Sequence, residues 1–216
     1  MKILIACEFS GVVREAFNSI HGCYAVSCDL LPAEDGRIDY HYQGDVREIL
    51  EAGWDMMIAF PPCTRLCNSG VRWLKERNLW NEMEDAAYFF KSLMNYFPIR
   101  RVAVENPIMH HYARDIVGRG YDQIIQPWMF GHPEQKQTCL WLRGLPKLRP
   151  TNVVSGREQR VWKEPPSKER WRERSRTLPG IAMAMAEQWG LEEFLYPTVE
   201  AERRIRFPST SENVEA

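Results

Sequence analysis

The sequence predicts an α/β fold built on a doubly wound, mostly parallel sheet, and three observations carry that prediction. Short apolar runs of strand length recur along the chain, stretches with apolar residues at helical spacing separate them, and the early runs end in an acidic residue or a proline.

Lys2 to Cys7 is the first expected strand, broken by Glu8 to Gly11 before a helix whose apolar face is Val12, Ala16, Phe17 and Ile20. Tyr24 to Cys28 is the second and ends at Asp29; the polar, turn-rich Pro32 to Asp39 then leads through Tyr40 and Tyr42 to Gly44 and Asp45. Asp55 to Phe60 is the next strand. After it come a polar loop from Thr64 to about Gly70 and a long helix near Glu82 to Tyr96, with Met83, Ala86, Ala87, Phe90 and Leu93 at helical spacing. Arg101 to Val104, Tyr121 to Gln126 and Thr138 to Leu142 complete the expected strands. Pro146 to Arg176 has no sustained period and several prolines, which predicts an irregular or only locally folded segment. A helix resumes at Pro179 and runs to about Trp189, and Pro208 to Ala216 reads as a polar, mobile tail.

The chain has 216 residues, 44% of them hydrophobic, which suits one compact domain over residues 1–190 and an extension over 191–216. Its six cysteines follow no regular framework and no basic, apolar leader is visible at the start, so reduced thiols and a cytoplasmic location are expected. No apolar stretch approaches the roughly 20 residues that cross a bilayer, so no membrane partner is expected. The net charge of −1 argues against polyanion binding over the whole surface. Charge is uneven, however: residues 143–176 hold eleven Lys and Arg against four Glu, with Trp162 and Trp171 among them. Basic side chains interleaved with aromatics suit contacts to phosphates and bases, and the same composition suits a solvated connector.

Two polar pairs stand where chemistry is expected. Pro62 and Cys63 follow one apolar run, Glu105 and Asn106 follow another, and ligands of open α/β sheets bind outside the carboxyl ends of the strands. A thiol and a carboxylate delivered there can face one substrate. Cys7, Cys23, Cys28 and Cys139 read as small buried hydrophobes, whereas Cys63 follows two prolines that hold its backbone. Cys63 and Cys67 with His110, His111 or His132 make a zinc site conceivable, but the spacing sits at the edge of the common pattern and no second close pair exists, so no metal is expected.

In this order, the pairs Pro62, Cys63 and Glu105, Asn106, with Asp29 and Asp45 at earlier strand ends, resemble the cytosine-5 DNA methyltransferases over about Lys2 to Trp189. The resemblance implies the Rossmann-like sheet of the S-adenosylmethionine-dependent methyltransferases, that cofactor, and DNA as partner. It implies that Cys63 adds to carbon 6 of cytosine, that Glu105 engages ring nitrogen 3 and the exocyclic amine, and that Asn106 helps hold the cysteine loop. Carbon 5 is too poor a nucleophile to take a methyl group unaided, and thiolate addition converts the ring to an enamine-like species that can. Phe9, Ser10 and Gly11 match the family's first cofactor turn, although Val12 and Val13 replace the usual glycines. Asp29 with Leu30 would hold the ribose, Asp45 with Val46 the adenine, and Pro61 completes the cofactor set. Lys136 stands at the first arginine of the family's PQxRxR segment and Thr138 at the second; only Lys136 keeps the charge. Pro179 to Trp189 looks like the family's closing helix. Pro62, Arg65, Asn68 and Arg72 are the substrate-binding candidates, since the loop from Thr64 to Trp73 follows the cysteine.

Family members carry a large target-recognition domain where this chain has only the short basic insert at about 143–177. Loose sequence recognition, recognition by a partner or second subunit, or a substrate smaller than duplex DNA would each account for that. Two other functions stay open: the same thiol chemistry on RNA or a free pyrimidine nucleotide or with another transferred group, and a non-catalytic DNA-binding protein on a degenerate methyltransferase fold.

Overall fold

A computed structural model describes residues 1–163, 167 and 170–191. Glu164, Lys168 and Glu169 of the basic insert and the expected C-terminal extension and tail lie outside the described residues.

Seven strands form one sheet: β1 (Lys2–Ala6), β2 (Tyr24–Asp29), β3 (His41–Gln43), β4 (Met56–Ala59), β5 (Arg101–Asn106), β6 (Gln123–Ile125) and β7 (Thr138–Arg143), in the order β3-β2-β1-β4-β5-β7-β6. β1 to β5 run parallel, whereas β7 is antiparallel to both β5 and β6. The chain winds outward from β1 through β2 to β3, then returns to place β4 on the other side of β1. That reversal puts a topological switch point between β1 and β4, whose carboxyl ends lead into Cys7 and into Pro61–Cys63. The architecture is an α/β, Rossmann-like, doubly wound sheet.

Strand alternation divides the core between two layers. Leu4, Met57, Val102 and Val104 pack with Phe90 and Leu93 of the helix α3 (Trp80–Met94) and with Ala113 and Val117 of α4 (His111–Val117). Ile3, Ile5, Met56, Ile58 and Ala103 pack on the other face with Val13 and Phe17 of α1 (Val12–Asn18) and with Ile181, Met185 and Trp189 of α7 (Pro179–Gly190). The other α-helices among the described residues are α2 (Val71–Glu76) and, within the insert, two short ones, α5 (Arg160–Lys163) and α6 (Arg170–Ser175). No helix among the described residues is long and apolar enough to cross a membrane.

Two expectations need correction, and one helix joins the expected elements. Glu105 and Asn106 do not lie past their strand but are its last two residues, because β7 pairs with them, Glu105 opposite Leu140 and Asn106 opposite Cys139. The loop expected over Thr64 to Trp73 ends in α2, where Leu74 is driven into the core. The short α4 carries too few apolar positions to show a period, and His110 starts it: its Nδ1 accepts from Ala113 N at 3.1 Å.

Candidate active site

The first turn after β1 is built around two residues that the sequence does not advertise. Glu8 is buried and its carboxylate accepts from Val13 N at 2.7 Å, Arg14 N at 3.2 Å and Ser10 Oγ at 3.1 Å, so it caps α1 in place of the side chain that Gly11 lacks. Burial raises its pKa against those hydrogen bonds and against Arg14. Arg14 is fully buried, donates to Ser27 Oγ at 2.9 Å and pairs with Glu15 and Asp35. Gly11 takes the left-handed conformation, φ 74°, and an added Cβ there would collide with the Arg14 guanidinium and Asp35. Val12 and Val13 follow inside the helix and need no positive φ, so the replacement of the family's glycines leaves this turn intact.

Beside the turn, at the carboxyl ends of β1, β2 and β4, lies a cavity of about 230 Å³. Asp29, Leu30, Asp45 and Val46 line it as a group, and Pro62 joins them from the cysteine loop. Cys7, Cys28, Gly44, Arg47 and Phe89 also line it and were not singled out from the sequence; Phe89 comes from α3, whose period shows only that the residue is apolar. Phe9, Ser10, Gly11 and Pro61 do not line this cavity. Asp29 accepts from Leu31 N at 2.9 Å, and burial raises its pKa against that hydrogen bond. Asp45 starts a short 3-10 turn and accepts from Arg47 N at 2.9 Å; the Arg47 side chain pairs with it and holds its pKa low. Asp45 therefore meets any ligand with an arginine already seated on it. Cys7 at the cavity floor has φ 58°, a conformation a non-glycine residue seldom adopts and one that concentrates at functional sites.

The cysteine loop is pinned from β5. Asn106, fully buried, donates from Nδ2 to Pro61 O at 3.1 Å. The turn after Cys63 closes by Leu66 N and Cys67 N, both donating to Cys63 O at 3.0 Å, and His110 binds it twice, through its backbone N to Leu66 O at 3.0 Å and its Nε2 to Arg65 O at 2.9 Å. His110 thus has both ring nitrogens committed, and His132 Nε2 accepts from Gly180 N at 2.9 Å. Among the described residues no group of three or more His, Cys, Asp and Glu could hold a metal ion.

Cys63, Glu105 and Lys136 interact electrostatically. Cys67 as a hydrogen-bonding neighbour, burial and the Glu105 carboxylate all push the Cys63 thiol up, opposed by Lys136. Burial raises Glu105, against Lys136 and a hydrogen bond with Thr138, and burial lowers Lys136, against Glu105 and Cys63. Lys136 Nζ also donates to Arg176 O at 3.0 Å. Thr138 lacks the family's charge, and its Oγ1 donates to Lys136 O at 3.2 Å beside Glu105. The gap beside Glu105, bounded by Phe60, Leu178 and Ile181, measures only about 10 Å³.

Burial of Glu105 has a measurable consequence. A carboxyl with its pKa raised in the folded chain binds more protons folded than unfolded, so its contribution is complete at low pH and is lost as pH rises through the folded value. Unfolding titrations should show wild-type stability falling against Glu105→Gln as pH climbs from the usual carboxylate range; parallel profiles would contradict the burial.

The basic insert does not stand free. Arg176 pairs with Glu34 at 2.5 Å and with Glu173 at 3.3 Å, Arg160 pairs with Glu134 at 2.9 Å, and Trp171 packs on Phe9 with ring centroids 5.8 Å apart. Its helix α6 thereby covers the first turn. Near Cys63, Arg65 pairs with Glu82 at 2.8 Å and the Arg72 guanidinium lies over the Trp73 ring at 4.3 Å, while Asn68 donates its backbone N to Ile108 O at 3.2 Å.

No protein-family model and no curated protein sequence matches the chain. Among solved structures, methyltransferases resemble it in fold. They include the Entamoeba histolytica methyltransferase EhMeth, at 14% identity and TM-score 0.47, with 71% of this chain and 57% of that one covered. A putative DNA modification methyltransferase encoded within an E. coli prophage matches at 14% identity and TM-score 0.46, with 77% and 55% covered. A mutant of Spodoptera frugiperda DNMT2 matches at 15% identity and TM-score 0.43, with 71% and 54% covered. The chain spans somewhat over half the length of each of these proteins, at an identity too low to show more than a likeness of fold.

Proposed function

We propose that the chain is an S-adenosylmethionine-dependent methyltransferase that methylates carbon 5 of cytosine in DNA through a Cys63 adduct at carbon 6. The observation that carries this reading is the meeting of Cys63, Glu105 and Lys136 at the carboxyl edge of the sheet, on a loop that also supplies Pro62 to the cavity at the switch point. Adding a thiol to a pyrimidine needs an acid at ring nitrogen 3 and positive charge near the carbon 2 oxygen. A half-buried carboxyl with a raised pKa and a half-buried lysine supply those two needs.

The cofactor cavity fits a nucleoside. Leu30, Val46 and Phe89 offer apolar walls for a ring, and Asp29 and Asp45 offer acceptors for hydroxyls and an amine. S-adenosylmethionine, when bound, supplies the electrophilic methyl group. Asp29→Ala should weaken cofactor binding by about 10- to 100-fold, the loss of one or two hydrogen bonds to a charged acceptor, as read by calorimetry. Unchanged affinity would remove Asp29 from the site.

One observation favours a second substrate. Arg160 and Arg176 of the insert are already paired with Glu134 and Glu34, which leaves less charge for duplex phosphates than the composition promised and suits RNA or a free pyrimidine nucleotide. Recognition of a DNA sequence would then fall to the cysteine loop with Arg65, Asn68 and Arg72, or to a partner. Incubation with labelled S-adenosylmethionine and DNA, RNA or dCMP, followed by mass spectrometry of the bases, tests both readings. Label on carbon 5 of DNA cytosine supports the first, label on RNA or dCMP alone supports the second, and DNA binding without label on any substrate leaves a non-catalytic binding protein.

A further inference from the structure

Lys136 lines two cavities. One is the narrow gap beside Glu105, and the other, of about 260 Å³, lies between the basic insert and the start of α7. Thr177 and Leu178 also line both, so the two spaces share a wall. Against the roughly 30 Å³ of a liquid water, the larger one has room for a sugar phosphate and not only a lone ion. Among the described residues its lining carries three cations, Lys136, Arg160 and Arg176, against one acid, Glu173. Arg160 and Arg176 are held by Glu134 and Glu34, which are outside that lining, and Glu173 lies 3.3 Å from Arg176. Arg176 Nε is shielded from solvent and has no hydrogen-bond partner among the described residues. A buried donor without a partner is costly unless a ligand supplies the acceptor. Burial foremost lowers the Lys136 pKa, and Arg160 and Arg174 add to that as like charges. The twelve-residue α7 starts on the same wall at Pro179 with no acid in its first turn, so its positive end adds to the field.

We propose that this cavity takes the phosphate of the target nucleotide, with Arg160 and Arg176 of the insert selecting a phosphorylated pyrimidine over the bare nucleoside. The inference rests on the proposed pyrimidine chemistry, which sets the base beside Glu105. The carbon 2 oxygen of a pyrimidine adjoins the glycosidic bond, so a lysine that reaches it stands between base and sugar. The sugar then leads away from Glu105 into the second cavity that Lys136 lines. Because both arginines already carry a carboxylate, the charge of the ligand decides how well it competes. A phosphate monoester, with about −1.5 to −2 near neutral pH, outcompetes a single carboxylate, whereas a diester only matches its charge. A terminal phosphate is therefore the stronger ligand and a phosphate within a nucleic-acid chain the weaker one.

Calorimetry on the full chain tests this with dCMP, deoxycytidine, a trinucleotide with a central cytosine, and 2-deoxyribose 5-phosphate. dCMP should bind about 10- to 100-fold more tightly than deoxycytidine, with the trinucleotide between them. Arg160→Ala and Arg176→Ala should each erase most of that difference while deoxycytidine binds as before. Glu173→Ala, which removes the one acid of the lining, should tighten dCMP by about threefold or more, a gain that a damaged fold does not produce. A trinucleotide that binds more tightly than dCMP and loses its advantage in the arginine variants supports the site with a chain phosphate as its source. The proposal is overturned if deoxycytidine matches both phosphorylated cytosines, if neither of those binds, or if their preference survives in both arginine variants. It is also overturned if the variants weaken S-adenosylmethionine in place of dCMP, which assigns the cavity to the carboxylate of the cofactor. If 2-deoxyribose 5-phosphate binds as tightly as dCMP and is lost in the same variants, the phosphate site stands and the pyrimidine chemistry falls.

Discussion

Cys63→Ser is expected to abolish both the adduct and methyl transfer, by at least about 10⁴-fold, while cofactor affinity stays at the wild-type level. A hydroxyl is a far weaker nucleophile than a thiolate at neutral pH, and the cavity that would hold the cofactor is lined by Pro62 rather than by Cys63 itself. The exchange removes one sulfur atom from a side chain that is only partly buried, and the turn it begins is closed by backbone bonds to Cys63 O, which serine keeps. Loss of activity with retained cofactor binding and retained circular dichroism is therefore the expected result. Residual methylation within tenfold of wild type would show that the thiol does not carry the reaction and would move the assignment of nucleophile away from this loop.

Gly180→Ala is expected to cost about 3 kcal/mol of stability and to lower the melting temperature by about 6 to 12 °C. A Cβ at this position would be driven into the carbonyl oxygen of Phe130 and would lie 2.9 Å from His132 Nε2, the atom that accepts from Gly180 N. The clash is with backbone at one side, so no rotamer change relieves it. The start of α7 would have to lift off, and Leu178 and Ile181 close the gap beside Glu105, so activity should fall with stability. Gly120→Ala is the control: nothing lies within 4 Å of an added Cβ there, and its stability should stay within about 0.5 kcal/mol of wild type. Equal melting temperatures for the two variants would contradict the close approach of α7 to the Phe130 turn.

Where burial on both faces left an unbroken apolar run, as in Ile3 to Ala6, Met56 to Ala59 and Val102 to Val104, the strand was legible because nothing local competes with it. The helices α1, α3 and α7 were legible for a related reason: each buries one broad face, so its period survives in the sequence. The short helices α2 and α4 were not, since α2 buries only Leu74 and α4 only Ala113 and Val117, too few positions to show a period. The ends of β5 were misplaced for another reason. Glu105 and Asn106 break the apolar pattern, but an antiparallel neighbour supplies backbone partners that a reading of side chains cannot see.

What the sequence determined by itself about this protein was the alternation of strands and helices and the residue types at the strand ends: a thiol after two prolines, a carboxylate with an amide, and acids at Asp29 and Asp45. Those are local facts, set by composition and spacing. Tertiary structure alone decided which of them meet. It gathered Asp29, Asp45 and Pro62 around one cavity, left Phe9 beneath Trp171 of the insert, turned the insert's Arg160 and Arg176 onto Glu134 and Glu34, and pinned the Cys63 turn with His110 and Asn106. Glu8 and Arg14 show why: a charged side chain has no apolar period to betray it, and only the packing of a sheet, a turn and a helix around it decides that it is buried and what it holds.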